Sequence, residues 1–128
     1  MRYLVDTNLV SKQDTSPKIR NWIIQHYLQL AVSSITIAEL AQGIETLPAS
    51  RRRQKLAQML EEMLDDYPVL VFGVPEAREW SKYVNRIGRP VALLDSLIAA
   101  TALANDLEVA TANEHDFPGV ALVNPLKA

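Results

Sequence analysis

Cysteine is absent from this 128-residue chain, and histidine occurs only twice. The chain therefore has no disulfide framework, no thiolate nucleophile and no cysteine-based metal centre. A chain without cysteine also suits the reducing cytosol, so we expect a cytoplasmic protein. We interpret both histidines, His26 and His115, as ordinary side chains, and no zinc site is expected.

Long hydrophobic runs and an excess of positive charge are also missing. No apolar run approaches the ~18 residues of a membrane span, and the N-terminus lacks the basic flank and apolar core of a secretion signal. Thirteen Lys and Arg against fifteen Asp and Glu give a net charge of −2, which argues against a broad basic footprint for nucleic acid. The one basic cluster is Arg51-Arg52-Arg53 with Lys55. Both a solvated first helical turn and a local phosphate contact remain open for it.

Apolar residues make up 48% of the chain, which is enough for the core of a single domain spanning residues 1–128. Five short apolar runs predict strands: Tyr3–Val5, Leu30–Ser33, Val69–Phe72, Glu108–Ala112 and Val120–Val123. Helical patterns alternate with them, beginning at Ser16-Pro17, Thr36, Ser50, Pro75 and near Leu94 or Asp95. This alternation predicts an α/β fold of three layers, α/β/α, around a mostly parallel central sheet of four to five strands.

Four acidic residues fall at the carboxyl edge of the predicted sheet, where α/β proteins bind ligands. They are Asp6 after the first strand, Glu39 after the second, Asp95 at the start of the last helix and Asp116 after the fourth strand. Glu76 competes with them, because it also lies in the first turn of a helix that follows a strand.

Three of the acids have local structural explanations. Asp6 in Asp-Thr-Asn suits a turn, and Glu39 would complete a capping box with Thr36. Asp116 could be an ordinary loop acid.

Asp95 is the hardest acid to explain structurally. It could cap its helix, but Leu93-Leu94 and Leu97-Ile98 flank it in a helix that is apolar nearly all round. An unpaired carboxylate in such surroundings is costly, so Asp95 needs a partner.

Four converging carboxylates would repel one another unless a cation joins them. Mg²⁺ prefers hard oxygen ligands and retains several waters, so an all-oxygen site for this ion is the expectation. The chemistry that follows is metal-assisted hydrolysis of a phosphodiester by an activated water.

Longer sequence blocks surround these acids and resemble the PIN-domain ribonucleases, specifically VapC-type toxins near their FitB-like branch. The blocks are YLVDTNLVSK, SSITIAELAQGIE, GRPVALLDSLIAATALA and ATANEHDFPGVALVNP. The resemblance spans almost the whole chain.

The resemblance implies a ribonuclease toxin with a quartet around Mg²⁺ or Mn²⁺, formed by Asp6, Glu39, Asp95 and Asp116. Supporting residues would be Thr7, Asn8, Thr111 and Asn113. It also implies an RNA substrate, a homodimer, and a cognate antitoxin, encoded nearby, that covers the site and promotes higher assembly. No membrane association is implied.

Two residues depart from the pattern of this family. Lys12 stands where close relatives often have glutamate, and Ala112 stands where they usually have arginine. These departures bear on substrate preference more than on the quartet.

Two alternatives belong to other classes. The first is a catalytically inactive PIN-like module that binds nucleic acid or protein and keeps its acids for capping. The second is a phosphotransferase with Asp6 as nucleophile, but the expected Asp-x-Asp motif is broken by Asn8.

Overall fold

The computed structural model describes all residues from Met1 to Ala128. The strands are β1 (Tyr3–Val5), β2 (Leu30–Ser33), β3 (Val69–Leu70), β4 (Glu108–Ala110) and β5 (Leu122–Val123). The helices are α1 (Thr7–Lys12), α2 (Pro17–Gln25), α3 (Ser34–Glu45), α4 (Arg51–Asp66), α5 (Val74–Ile87) and α6 (Leu93–Ala104). No helix is both long enough and apolar enough to cross a membrane.

The five strands form one sheet in the order β3-β2-β1-β4-β5, and every neighbouring pair is parallel. Parallel neighbours require crossover connections, which the intervening helices supply. The predicted α/β class with a mostly parallel sheet is therefore confirmed. Strand β1 lies at the centre, with Tyr3 paired to Leu30 on one side and to Glu108 on the other. This order places the end of β1, and so Asp6, at the middle of the carboxyl edge.

Side chains alternate between two buried clusters, one on each face of the sheet. Tyr3 and Val5 pack with residues of α1, α2 and α4, including Trp22 and Met63. Leu4 faces the opposite way and packs with residues of α5 and α6. Successive residues of a strand point to opposite faces, so three-residue strands suffice to hold both helical layers.

Local capping chemistry explains several helix ends. Ser16 and Ser50 accept hydrogen bonds from the backbone amides three residues on, as their positions predict. Gly88 ends α5 in the left-handed conformation with φ of 70°, which glycine adopts without a steric cost.

Other boundaries differ from the sequence-based expectation. Helix α1 begins directly after Asp6, where only a polar turn was expected. Helix α3 starts at Ser34 and is capped by Ser33, so the expected start at Thr36 is wrong. Helix α6 has Ala92 as its N-cap. Strand β3 is shorter than the predicted run, because only two of its residues pair with β2.

Candidate functional site

Asp6 follows β1 and is almost fully buried, with 1% of its surface exposed. Its Oδ2 accepts a hydrogen bond of 2.9 Å from Thr111 Oγ1, which comes from the end of the adjacent strand β4. Burial raises the pKa of Asp6 above its usual value, and the bond from Thr111 opposes that rise. Thr111 Oγ1 also accepts from the backbone amide of Asn113 at 2.9 Å. The central acid is thus fixed in position by its neighbour in the sheet.

A chain of hydroxyl groups leads to Glu39 on α3. Thr7 Oγ1 lies 2.8 Å from Glu39 Oε1 and 3.0 Å from Thr36 Oγ1. Because an ionised carboxylate only accepts, the Thr7 hydroxyl donates to Glu39 and accepts from Thr36. Ser33 Oγ lies 3.3 Å behind Thr36 Oγ1 and completes the relay. The hydroxyl groups of Ser33, Thr36 and Thr7 therefore donate one to the next, and the last of them donates to Glu39.

The capping box expected for Glu39 is wrong. Its supposed partner Thr36 lies inside the helix, and the cap is Ser33, whose side chain accepts from the amide of Thr36 at 3.0 Å. Glu39 is left free of a capping role and is oriented by Thr7, which is 32 positions away in the chain.

Asp95 lies in the first turn of α6. Its pKa is raised from 3.8 to about 6, first by burial and then by the negative charges of Asp6, Asp116 and Glu39. The alternative that Asp95 caps its helix is wrong, since Ala92 holds that position. The preceding residues Leu93 and Leu94 are exposed rather than packed around the carboxylate. Partial burial and the other acids, not a leucine shell, make this charge costly.

Asp116 ends a 3₁₀ helix, Glu114–Asp116, that is fastened on two sides. Arg89 Nη2 donates to the carbonyl of His115 at 2.6 Å, and the Glu114 carboxylate contacts Asn124 and Lys127. Lys127 and Asn124 hold the pKa of Glu114 below its usual value. Arg89 was missed in the sequence, because its role depends on a contact 26 positions away.

The other residues singled out in the sequence are Asn8, whose role is confined to its backbone amide, and the two family departures Lys12 and Ala112. The backbone amides of Thr7 and Asn8 both stabilise the Asp6 carboxylate, but the Asn8 side chain is exposed and makes no hydrogen bond in the structure. Of the two family departures, Lys12 is exposed at the end of α1, whereas Ala112 packs against a buried cluster.

Glu76 does not join the acidic group. Its Oε1 accepts from the Gly73 amide at 2.8 Å, and its Oε2 lies 3.3 Å from Asn105 Nδ2. Asn105 follows the C-terminus of α6, ten residues beyond Asp95 and so ~15 Å along the helix. Glu76 therefore caps α5 and is remote from the four acids.

Neither histidine ring makes a hydrogen bond or ion pair with the four acids. His26 stacks on Trp22, with ring centroids 4.3 Å apart, and contacts the Trp22 carbonyl. His115 is exposed, and its backbone carbonyl, rather than its ring, makes the contact with Arg89.

The donor set of the site consists of oxygen atoms alone, which suits a hard cation such as Mg²⁺. The carboxylates are close enough to raise the pKa of Asp95 together. No three acidic or histidine side chains, however, are spaced as a preformed metal centre. Asp6, Glu39, Asp95 and Asp116 would hold a cation that keeps several of its own waters, as Mg²⁺ does.

We compared the chain with protein families and with known proteins. The sequence profile of the PIN domain matches residues 3–122. The VapC ribonuclease Y4jK of Sinorhizobium fredii is 31% identical to this chain, with 95% of this chain and 96% of the relative covered. The toxin FitB of Neisseria gonorrhoeae is 30% identical, with 95% and 96% covered.

A solved structure agrees with these relatives. A chain in the crystal structure of FitAcB from Neisseria gonorrhoeae superposes with a TM-score of 0.84 at 30% identity, covering 98% of this chain and 99% of that one. The resemblance inferred from the four sequence blocks is confirmed, and this chain belongs to the PIN-domain family.

Proposed function

We propose that this protein is a metal-dependent endoribonuclease and the toxin of a toxin–antitoxin pair. The observation that carries the proposal is the electrostatic coupling of four carboxylates, three of which raise the pKa of Asp95. Such a group of like charges destabilises the fold unless a cation neutralises it, so its presence favours a site for a divalent cation. Relatives of at least 30% identity that are named VapC ribonuclease and toxin FitB support the activity and the toxin role.

The residues that would hold Mg²⁺ or Mn²⁺ are Asp6, Glu39, Asp95 and Asp116. The chemistry that such a cation supplies is activation of a water and neutralisation of the charge that develops on phosphorus. Thr111 keeps Asp6 in place, and Thr7 orients Glu39. Supporting hydrogen bonds of this kind fix ligand geometry before the substrate arrives.

The cation also explains how an acidic protein would bind an anionic substrate. The chain carries a net charge of −2, and the four carboxylates alone would repel a phosphodiester. A bound divalent cation inverts that local potential. Substrate binding at the acids is accordingly expected to be weak without metal.

The partners follow from the same proposal. The toxin would form a homodimer and would be held inactive in the cytoplasm by a cognate antitoxin that covers the four acids. The relative named toxin FitB supports the toxin role; the homodimer, the location and the antitoxin are what the resemblance to VapC-type toxins implies.

The test is cleavage of a panel of tRNA and mRNA by antitoxin-free protein stripped of metal. We expect no cleavage until Mg²⁺ or Mn²⁺ is added, and none by an Asp95→Asn preparation purified in parallel, which controls for contaminating nuclease. Cleavage that continues in excess chelator would contradict metal dependence. Folded protein that binds RNA but cuts none of the panel with either metal would favour the inactive binding module.

A further inference from the structure

A groove of about 330 Å³ runs between α1, α3 and α4 and begins at the acidic site. Thr7 and Glu39 line its inner end, and these two side chains are hydrogen-bonded to each other. Apolar side chains from α3, α4 and the loop between them line the rest of the groove, including Leu40, Leu47 and Leu56. The groove is therefore continuous with the acidic site, but most of its lining beyond Thr7 and Glu39 is apolar.

One residue of the basic cluster noted in the sequence, Arg52, lines the groove. It is exposed, and it makes no hydrogen bond or ion pair in the structure. Its neighbour Arg53 is engaged, since it donates to the Leu47 carbonyl at 3.0 Å and to Glu45 at 3.2 Å. Arg53 thus has a structural role, whereas Arg52 has no partner within the protein.

The position of Arg52 is unfavourable for the helix itself. Ser50 is the N-cap of α4, so Arg51, Arg52 and Arg53 occupy its first turn. The N-terminal end of a helix carries partial positive charge, which disfavours cationic side chains there. The contacts of Arg53 account for that residue, whereas Arg52 has no structural compensation. Departures from local rules without structural gain are expected where a residue serves binding.

We propose that this groove binds the single-stranded RNA that flanks the scissile phosphate, with Arg52 contacting a backbone phosphate. The inference rests on the proposed ribonuclease function and extends it to substrate positioning. The chemistry of the lining favours RNA as the occupant, because the unpaired Arg52 guanidinium can pair with a backbone phosphate while the neighbouring apolar side chains can contact bases. The contact to phosphate carries no sequence preference.

Gly43 provides a second, uncharged way to test the groove. It lies in the last turns of α3 and lines the groove wall, and a Cβ built on it meets no atom within 4 Å. A leucine at this position would project into free space without altering charge. Leucine also forms helix more readily than glycine, so the variant should fold.

The experiment measures binding of a fluorescein-labelled 12-nucleotide oligouridylate by anisotropy, using Asp95→Asn protein so that cleavage does not interfere and Mg²⁺ at a concentration that saturates the weakened site of this variant. Adding Arg52→Glu is expected to raise the Kd at least tenfold and to reduce the salt dependence of binding. Adding Gly43→Leu is expected to raise the Kd at least fivefold. The matched control is Arg78→Glu on α5, which packs in the opposite helical layer and has no partner either. This control should stay within twofold of the parent.

Equal weakening by Arg52→Glu and Arg78→Glu would mean that only overall charge matters, and would overturn the proposal. No effect of Arg52→Glu, or of Gly43→Leu, would overturn it too and would leave the groove to a protein segment. Absence of binding by the parent would have the same meaning. Failure of the ribonuclease function is measured separately, as a lack of Mg²⁺-dependent cleavage by wild-type protein. That failure, with Arg52-dependent binding retained, would refute the activity and not the groove.

Discussion

Replacement of Asp95 by asparagine is expected to lower RNA cleavage by roughly a hundredfold or more while leaving the protein folded. Even residues that only support a metal ligand typically cost 10–100-fold when removed, and Asp95 is assigned here as a ligand. The substitution keeps size and shape but removes the charge. Cleavage of a defined RNA at saturating Mg²⁺, with circular dichroism to verify folding, measures the effect.

The same variant is expected to be more stable than wild type when metal is absent. The pKa of Asp95 is about 6 in the fold against an ordinary 3.8, so the folded state disfavours the ionised form. Stability from this group is therefore present at low pH and declines as pH rises from about 4 to 6. At pH 7.5 the asparagine avoids that loss, which amounts to roughly 1 kcal/mol after discounting for partial exposure. Thermal unfolding in chelator should show a higher Tm for Asp95→Asn.

Asp65→Asn is the matched control, since this exposed acid lies near the end of α4 and belongs to no contact in the acidic site. It should leave cleavage within twofold of wild type. Full activity of Asp95→Asn would remove Asp95 from the site, and an equal loss in both variants would point to a general charge effect.

Replacement of Thr111 by valine is expected to lower both metal affinity and cleavage by about 10–100-fold. The valine retains the shape but removes the hydroxyl that donates to Asp6 Oδ2 and accepts from the Asn113 amide. Both polar groups then lose a partner at a buried position, which should lower the free energy of unfolding by about 1–3 kcal/mol. Urea unfolding and Mn²⁺ titration measure the two effects.

Thr101→Val provides the comparison for this substitution. Thr101 is fully buried as well, but its hydroxyl donates only to the Leu97 carbonyl within α6. The control should leave metal affinity and cleavage unchanged. If Thr111→Val binds metal as wild type does, Thr111 has a purely structural role.

Much of the fold follows from patterns that are local in the sequence. The runs Tyr3–Val5 and Leu30–Ser33 are strands over the predicted residues, and alternation of strands and helices was sufficient to predict a parallel sheet. The serine caps of α2 and α4 were predictable for the same reason, because a cap and its amide partner lie three residues apart. Strand order was not predictable, and neither was the packing that brings Glu76 to Asn105, at the opposite end of α6 from Asp95.

The errors lie where a side chain has a partner distant in sequence. Asp6 suggested a turn because its carboxylate could bond locally; it does interact with the amides of Thr7 and Asn8, but its side-chain partner is Thr111, 105 positions away. The backbone is then free to begin α1 at the next residue, without a side-chain cap. Glu39 satisfied the spacing of a capping box, yet Thr7 takes its carboxylate. Grouping the acids by sheet edge was more informative than interpreting each one by its neighbours.

Direct binding of Mn²⁺ tests the central claim, that four carboxylates on this edge together form a divalent cation site. Mn²⁺ is titrated into metal-stripped wild type, Asp95→Asn and Asp65→Asn, and free ion is measured by electron paramagnetic resonance. The account predicts saturable binding by wild type and Asp65→Asn, competed by Mg²⁺, with affinity at least tenfold weaker in Asp95→Asn. Equal binding by all three proteins, or no binding by wild type, would contradict it.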